Sequence, residues 1–194
     1  MTTPADVLKI ANEEIGTRES AHDVTKYNDW YYGRRGEPWC AMFVSYCFHE
    51  AGLPLPAETP KGFAYTPYGA KWFNDNDRWA KNSETPKTGY VVFFNWPGNK
   101  ENRIEHVGIV ERVNKDGSIE TIEGNTGPDT CCVMQRHRKV SDGIVGYGIP
   151  NYSEEDDMPS IEEVQKVVSD MYRLLARGEI DGKRSEAHYE QGQN

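Results

Sequence analysis

Glu105-His106-Val107-Gly108-Ile109-Val110 runs through Glu111-Arg112-Val113 into Asn114-Lys115-Asp116-Gly117, and the chain comes back as Ile119-Glu120-Thr121-Ile122-Glu123-Gly124-Asn125. Two β-rich runs joined by an Asp-Gly turn are a hairpin signal, so Ile104 to Val113 and Ile119 to Glu123 are predicted neighbours in one sheet. Gly89 to Phe94 before the hairpin, and Cys132 to Arg138 and Ile144 to Ile149 after it, have the same strand character between turn-formers. The expected product is an antiparallel meander.

Upstream the apolar period changes to that of helices. Thr3-Pro4-Ala5-Asp6 supplies an N-cap, a proline at the first helical position and an acid three residues after the cap. Val7, Leu8, Ala11 and Ile15 follow on one face, and Gly16 stops that helix. Tyr27 to Gly33 is crowded with aromatic side chains, and Arg34 to Pro38 turns the chain into Trp39-Cys40. A second helix starts there, with Phe43, Val44, Cys47 and Ala51 at three- and four-residue spacing and Gly52 and Pro54 as its stop. Leu53 to Thr88 reads as a long connection with a short helix, carrying Trp72, Phe73 and Trp79. Helices first and an antiparallel sheet second make an α+β fold.

The 194 residues carry 22 Lys plus Arg against 31 Asp plus Glu, a formal charge of -9. That sign argues against affinity built on phosphate neutralisation, so no nucleic-acid partner is expected. No apolar run is long enough to span a bilayer, and Met1-Thr2-Thr3-Pro4 lacks the basic start and apolar stretch of a signal peptide. Neither a membrane partner nor a leader is therefore expected. The four cysteines, at positions 40, 47, 131 and 132, have neither a disulfide framework nor a zinc-binding Cys-x-x-Cys pair. No metal and no other cofactor is called for.

Chemistry is expected from a free thiol. Cys40 falls in the first turn of its helix, where peptide dipoles favour a thiolate. Cys47 lies on the apolar face of the same helix and reads as core. Such a thiol needs a histidine in reach and a third group to hold the imidazole tautomer. Of His22, His49, His106, His137 and His188, only His106 opens an apolar strand. Across the hairpin, alternation places Glu123 and Asn125 on one face, where either could accept the ring N–H. The plain alternative is a buried Cys40, a satisfied sheet histidine and a solvated Glu123. Residue spacing by itself leaves both open.

Pro38-Trp39-Cys40-Ala41-Met42-Phe43-Val44, Glu105 to Val110 and Ile122-Glu123-Gly124-Asn125, in that order, closely resemble the CHAP family, cysteine, histidine-dependent amidohydrolases and peptidases of bacterial cell walls. The resemblance covers roughly residues 5 to 152. It implies a papain-like fold with N-terminal helices packed on the sheet. It also implies Cys40 as nucleophile, His106 as general base, Glu123 as imidazole partner and Asn125 as a fourth polar group. The implied substrate is bacterial peptidoglycan, cut at an amide of the stem peptide or its junction with glycan through a thioester. A phage endolysin without a signal peptide, kept in the cytoplasm of the infected host until release to the wall, fits this pattern. Trp30, Tyr32 and Trp39 flank the nucleophile as candidate substrate-binding residues, with core packing as the alternative.

There are departures from the family. Between Tyr31 and Trp39 only Glu37 is acidic, so the calcium loop of some phage members is not expected. Pro86-Lys87-Thr88-Gly89 is followed by Tyr90, where an acid is common. A competing reading is an NlpC-type endopeptidase, although those usually show Asp-Cys-Ser-Gly rather than Pro38-Trp39-Cys40-Ala41. Another is a non-catalytic wall-binding or phage tail module.

Residues 1–152 form the expected catalytic domain, followed by an acidic linker at 153–159. An amphipathic helix is expected over 160–178, where Ile161, Val164, Val168, Met171 and Leu175 make an apolar stripe ended by Gly178. Such a stripe suits docking on its own domain, a homo-oligomer, or a connection to a wall-binding domain. A disordered tail is expected over 179–194.

Overall fold

The computed structural model describes residues 1–20, 23–33, 36–100, 103–127, 131–152 and 161–176. His22 and His188, the acidic linker and the tail after residue 176 lie outside them. The chain divides into two compact units, residues 1–153 and 154–194.

Helix α1 spans Pro4–Glu13, with the expected reciprocal cap between Thr3 and Asp6. A second capping box, Thr25 with Asn28, starts the short helix α2, Lys26–Tyr31, within the aromatic stretch. Helix α3, Cys40–Glu50, buries residues on nearly every side, as a helix in the middle of a core must. The long connection contains helix α4, Thr66–Asp75, and a three-residue strand β1, Trp79–Lys81.

Strands β2 (Val91–Phe94), β3 (His106–Val113), β4 (Ile119–Thr126), β5 (Cys132–Arg138) and β6 (Ile144–Gly148) match the five predicted strands. The sheet is antiparallel with order β1-β6-β2-β3-β4-β5. The meander thus holds from β2 to β5, and β6 departs from it by crossing back between β1 and β2. Close packing against Trp79 and Phe73 explains the glycines of β6. A Cβ on Gly146 would sit 2.5 Å from the Trp79 ring, and one on Gly148 would sit 2.3 Å from Phe73.

The main core lies between the helices and one sheet face, with Val7, Trp39, Phe43, Phe48, Phe93, Ile109 and Ile122 at its centre. A smaller cluster around Val92, Phe94, Val110 and Tyr147 covers the other face. Helix α3 lies close on β4 because Gly124 has no side chain. A Cβ there would meet Phe43 at 2.6 Å and Trp39 at 2.8 Å.

In the second unit, Ile161–Ala176 forms helix α5. Val164, Val168 and Met171 of the predicted stripe are exposed, as are Val167, Tyr172 and Leu174.

Candidate active site

Cys40 is the first residue of α3 and is 5 % exposed. The N-cap residue Trp39 makes no side-chain cap hydrogen bond, so no side chain of its own blocks the N–H groups of the first turn. His106 is the first residue of β3 and is likewise buried. Its Nε2 lies 2.9 Å from Glu123 Oε2. Cys40 acts on the same imidazole and raises its pKa.

Glu123 is fully buried, and besides the histidine two partners hold its carboxylate with three hydrogen bonds. Arg138 donates from Nε to Oε1 at 2.8 Å and from Nη2 to Oε2 at 2.6 Å, a forked charge-assisted pair. Thr121 Oγ1 donates to Oε1 at 2.6 Å. Room for Glu123 to reach His106 comes from Gly108 in the neighbouring strand, where a Cβ would stand 2.7 Å from Glu123 Cγ. The glycine in the quoted His-Val-Gly run is therefore a requirement of the site.

Electrostatics follow from this packing. Burial works against an imidazolium, but the interactions with Cys40 and Glu123 outweigh it and push His106 up to about 9. Burial also works against the Glu123 carboxylate. The Arg138 fork and the His106 contact overcome that and hold it down at about 2. Across the neutral range the pair therefore favours a carboxylate on Glu123 and a protonated ring on His106. Phe94 and Trp96 fix the ring plane, with centroids 5.7 Å and 5.5 Å from that of His106. The Arg138 guanidinium lies over the same two rings, 5.4 Å from Phe94 and 4.9 Å from Trp96.

Two cavities flank the Cys40–His106 pair. A cleft of about 360 Å³ is lined by Cys40 with Tyr32, Glu37, Tyr65, Arg103 and Glu105 among others. On the His106 side, Trp96, Asn125, Arg136 and Arg138 line a more open hollow of about 550 Å³. Asn125 is thus near the histidine, but the ring nitrogen goes to Glu123. The predicted alternation of Glu123 and Asn125 breaks because Asn125 has φ 56° and the β4–β5 register shifts between Glu123 and Thr126.

The candidate substrate-binding residues separate into different environments. Tyr32 lines the Cys40 cleft and is 42 % exposed. Trp39 is fully buried, stacked on Tyr27 at 5.3 Å, and belongs to the core, so the expectation that it contacts substrate is corrected. Trp30 packs edge-on against Tyr31, Tyr46 and His49 and lines neither flanking cavity. His49 pairs with Glu50 and His137 with Glu120, both away from the thiol.

Arg138, Thr121 and Trp96 were not singled out from sequence. Arg138 sits opposite Ile119 across β4–β5, and its side chain reaches Glu123, four residues further along β4. Same-face alternation of Thr121 and Glu123 was the available signal, but the register of β5 was not.

A thiol at a helix start, an imidazole on the neighbouring strand and a carboxylate behind it, on helices packed against an antiparallel sheet, define the papain-like cysteine–histidine class. Residues 30–125 match the family model of the CHAP domain, so the chain carries a CHAP domain over that stretch. Among solved structures it is similar to the endolysin LysIME-EF1, with 18% identity, a TM-score of 0.50, and coverage of 89% of this chain and 86% of that one. It is also similar to an NLP/P60-family lipoprotein-like protein from Staphylococcus aureus Mu50, with 13% identity, a TM-score of 0.45, and coverage of 77% and 42%. An N-acetylmuramoyl-L-alanine amidase from Staphylococcus aureus gives 19% identity, a TM-score of 0.41, and coverage of 59% and 33%. The matches to the two staphylococcal structures span less than half of their lengths. No curated protein matches the sequence.

Proposed function

We propose that this protein is a peptidoglycan hydrolase that cuts an amide bond of the stem peptide, or its junction with glycan, by cysteine nucleophilic catalysis. The observation that carries the reading is the buried His106–Glu123 pair, with Nε2 2.9 Å from the carboxylate, and Cys40 at the start of α3 acting on the same ring. A binding module has no need of a buried imidazolium–carboxylate pair beside a thiol.

In the proposed cycle, the proton shared between Cys40 Sγ and His106 rests on the ring as sulfur attacks the carbonyl carbon. The carbonyl π-electrons move to oxygen, and the backbone N–H of Cys40 stabilises the resulting oxyanion. Collapse of this intermediate breaks the C–N bond, and His106 gives its proton to the leaving nitrogen. Water then attacks the thioester, His106 takes a proton from it, and the carboxylate product leaves with Cys40 restored. Glu123 stays ionised throughout and holds the ring's orientation. Asn125, beside the histidine, is a polar group available to substrate.

We further assign the protein as a phage endolysin, held in the cytoplasm of the infected host until its release to the wall. Residues 1–152 act as the catalytic domain and α5 as an association or connecting element.

Mass spectrometry of fragments released from purified peptidoglycan by the intact chain and by Cys40→Ala tests the activity. New L-alanine amino termini on free stem peptides, lost in the variant, identify an amidase. Shortened or uncrosslinked stems still attached to glycan identify an endopeptidase. No release from several walls by the unmodified chain refutes the hydrolase reading.

A further inference from the structure

Helix α4 has a face that the catalytic relay does not use. Thr66, Gly69, Ala70 and Phe73 are buried, and a Cβ on Gly69 would come within 2.5 Å of the Phe63 ring. The other side carries Tyr68, Lys71, Trp72 and Asp75, with Tyr65 at the N-cap. Spacings of three and four residues align Tyr65, Tyr68 and Trp72 in one stripe. Tyr65 is 42 % exposed and Tyr68 53 %, with their rings edge to face at 5.0 Å.

This tyrosine pair joins two cavities. Tyr65 walls the Cys40 cleft, while Tyr68 and Trp72 wall a second hollow of about 470 Å³ together with Glu58, Lys71 and Asp75. The wall between them is braced. Glu58 Oε2 accepts from the backbone N–H of Ala64 at 2.5 Å and of Tyr65 at 2.9 Å, and Lys71 Nζ donates to Asp75 Oδ2 at 2.6 Å.

We propose that Tyr68 and Trp72, rimmed by Lys71, Asp75 and Glu58, form a saccharide subsite that holds the wall's glycan strand next to the Cys40 cleft. This deepens the hydrolase reading and rests on it. Aromatic faces bordered by charged side chains suit a sugar ring, whose C–H face packs on an aromatic ring while hydroxyl and acetamido groups meet the charged rim. An apolar helix or a lipid tail would take the exposed Lys71–Asp75 ion pair out of water, and the desolvation of two charges can exceed their mutual attraction. Continuity through Tyr65 supplies the geometry: the scissile amide lies over Cys40 while the attached sugar polymer continues across Tyr68. Binding energy from this remote part of the substrate can then be used at the reacting carbonyl.

The test uses the full chain carrying Cys40→Ala, so that nothing is cleaved, with peptide-free GlcNAc–MurNAc oligosaccharides as the probe in an NMR titration. The backbone amides of Tyr68, Lys71 and Asp75 should shift on titration. Tyr68→Ala should weaken binding by about tenfold, the loss of one well-placed ring contact, while Tyr68→Phe retains it. Lys71→Ala, at a largely exposed side chain, serves as a second variant should Tyr68→Ala lower the melting temperature. The proposal is overturned if the oligosaccharide leaves α4 unperturbed, if both alanine variants bind like the parent, or if a sugar-free stem peptide shifts α4 instead. Glycan binding on α4 by a protein that releases no wall fragments would refute hydrolysis and keep the subsite. Wall hydrolysis without glycan binding on α4 would do the reverse.

Discussion

Replacing Glu123 by Gln keeps the shape of the relay and removes its charge. In the intact site His106 rises from 6.5 to about 9 against its own burial, a difference worth ~3 kcal/mol in favour of the imidazolium. The Cys40 contribution survives the substitution, but the Glu123 contribution does not. The alkaline limb of activity, which reports loss of the proton owed to the leaving nitrogen, should move down from about 9 by at least one pH unit, or ~1.4 kcal/mol. The sign for stability follows by linkage. Because the folded-state value of His106 is raised, its contribution is fully present below 6.5 and disappears as pH climbs through about 9. Glu123, held at about 2 against an ordinary 4.5, contributes above 4.5 and loses that contribution as pH falls toward 2. Melting temperature should therefore plateau between those limits in the parent and flatten on both arms in Glu123→Gln. The variant should also lose ~3 kcal/mol because Arg138, with 12% of its side chain exposed, keeps its charge without its counter-ion. The assay is wall-suspension clearing between about pH 5 and about pH 10, with the His106 Cε1–H resonance titrated in parallel. An alkaline limb still at about 9 in a folded variant, with the rate reduced equally at every pH, would refute the electrostatic role given to Glu123.

Other consequences can be checked separately. Arg138→Gln should move the acid limb upward, because the buried Glu123 loses the fork that keeps it ionised, and Arg138→Lys should restore only part of the shift; pH–rate profiles of the two variants decide this. Gly108→Ala should drive a methyl group into Glu123, costing ~1–3 kcal/mol of stability and turning Glu123 away from His106, so that activity falls more than tenfold while circular dichroism stays native. Trp39→Ala should behave as a core deletion that lowers the melting temperature by ~3–5 kcal/mol equivalent, whereas Tyr32→Ala, in the Cys40 cleft, should raise KM with little loss of stability. Light scattering with and without residues 153–194 tests self-association through α5, whose Val164, Val168 and Met171 are exposed; a full-length chain that is itself a monomer would remove that role.

How much of this was legible in the sequence depends on how local the cause was. The caps at Thr3 and the Asp116-Gly117 hairpin act over a few residues, so α1, β3 and β4 could be placed from composition and spacing. Helix α2 was missed although Thr25 and Asn28 form its capping box, because a six-residue helix has too few positions to show a period. Strand β1 has only three residues and is defined by its pairing with β6.

The chain alone singled out the candidate residues: a cysteine at a helix start, a histidine opening an apolar strand, and an acid across the hairpin. Tertiary structure decided which of Glu123 and Asn125 takes the ring nitrogen, because the answer turns on a positive φ and a register shift that no short-range pattern announces. It also decided that Trp39 is core and that Arg138 anchors the carboxylate. Those assignments depend on side chains meeting across strands and layers far apart in sequence. Gly108 and Gly124 join the two levels: each is a single letter in the chain, and each has its reason in the side chain that occupies the space it leaves.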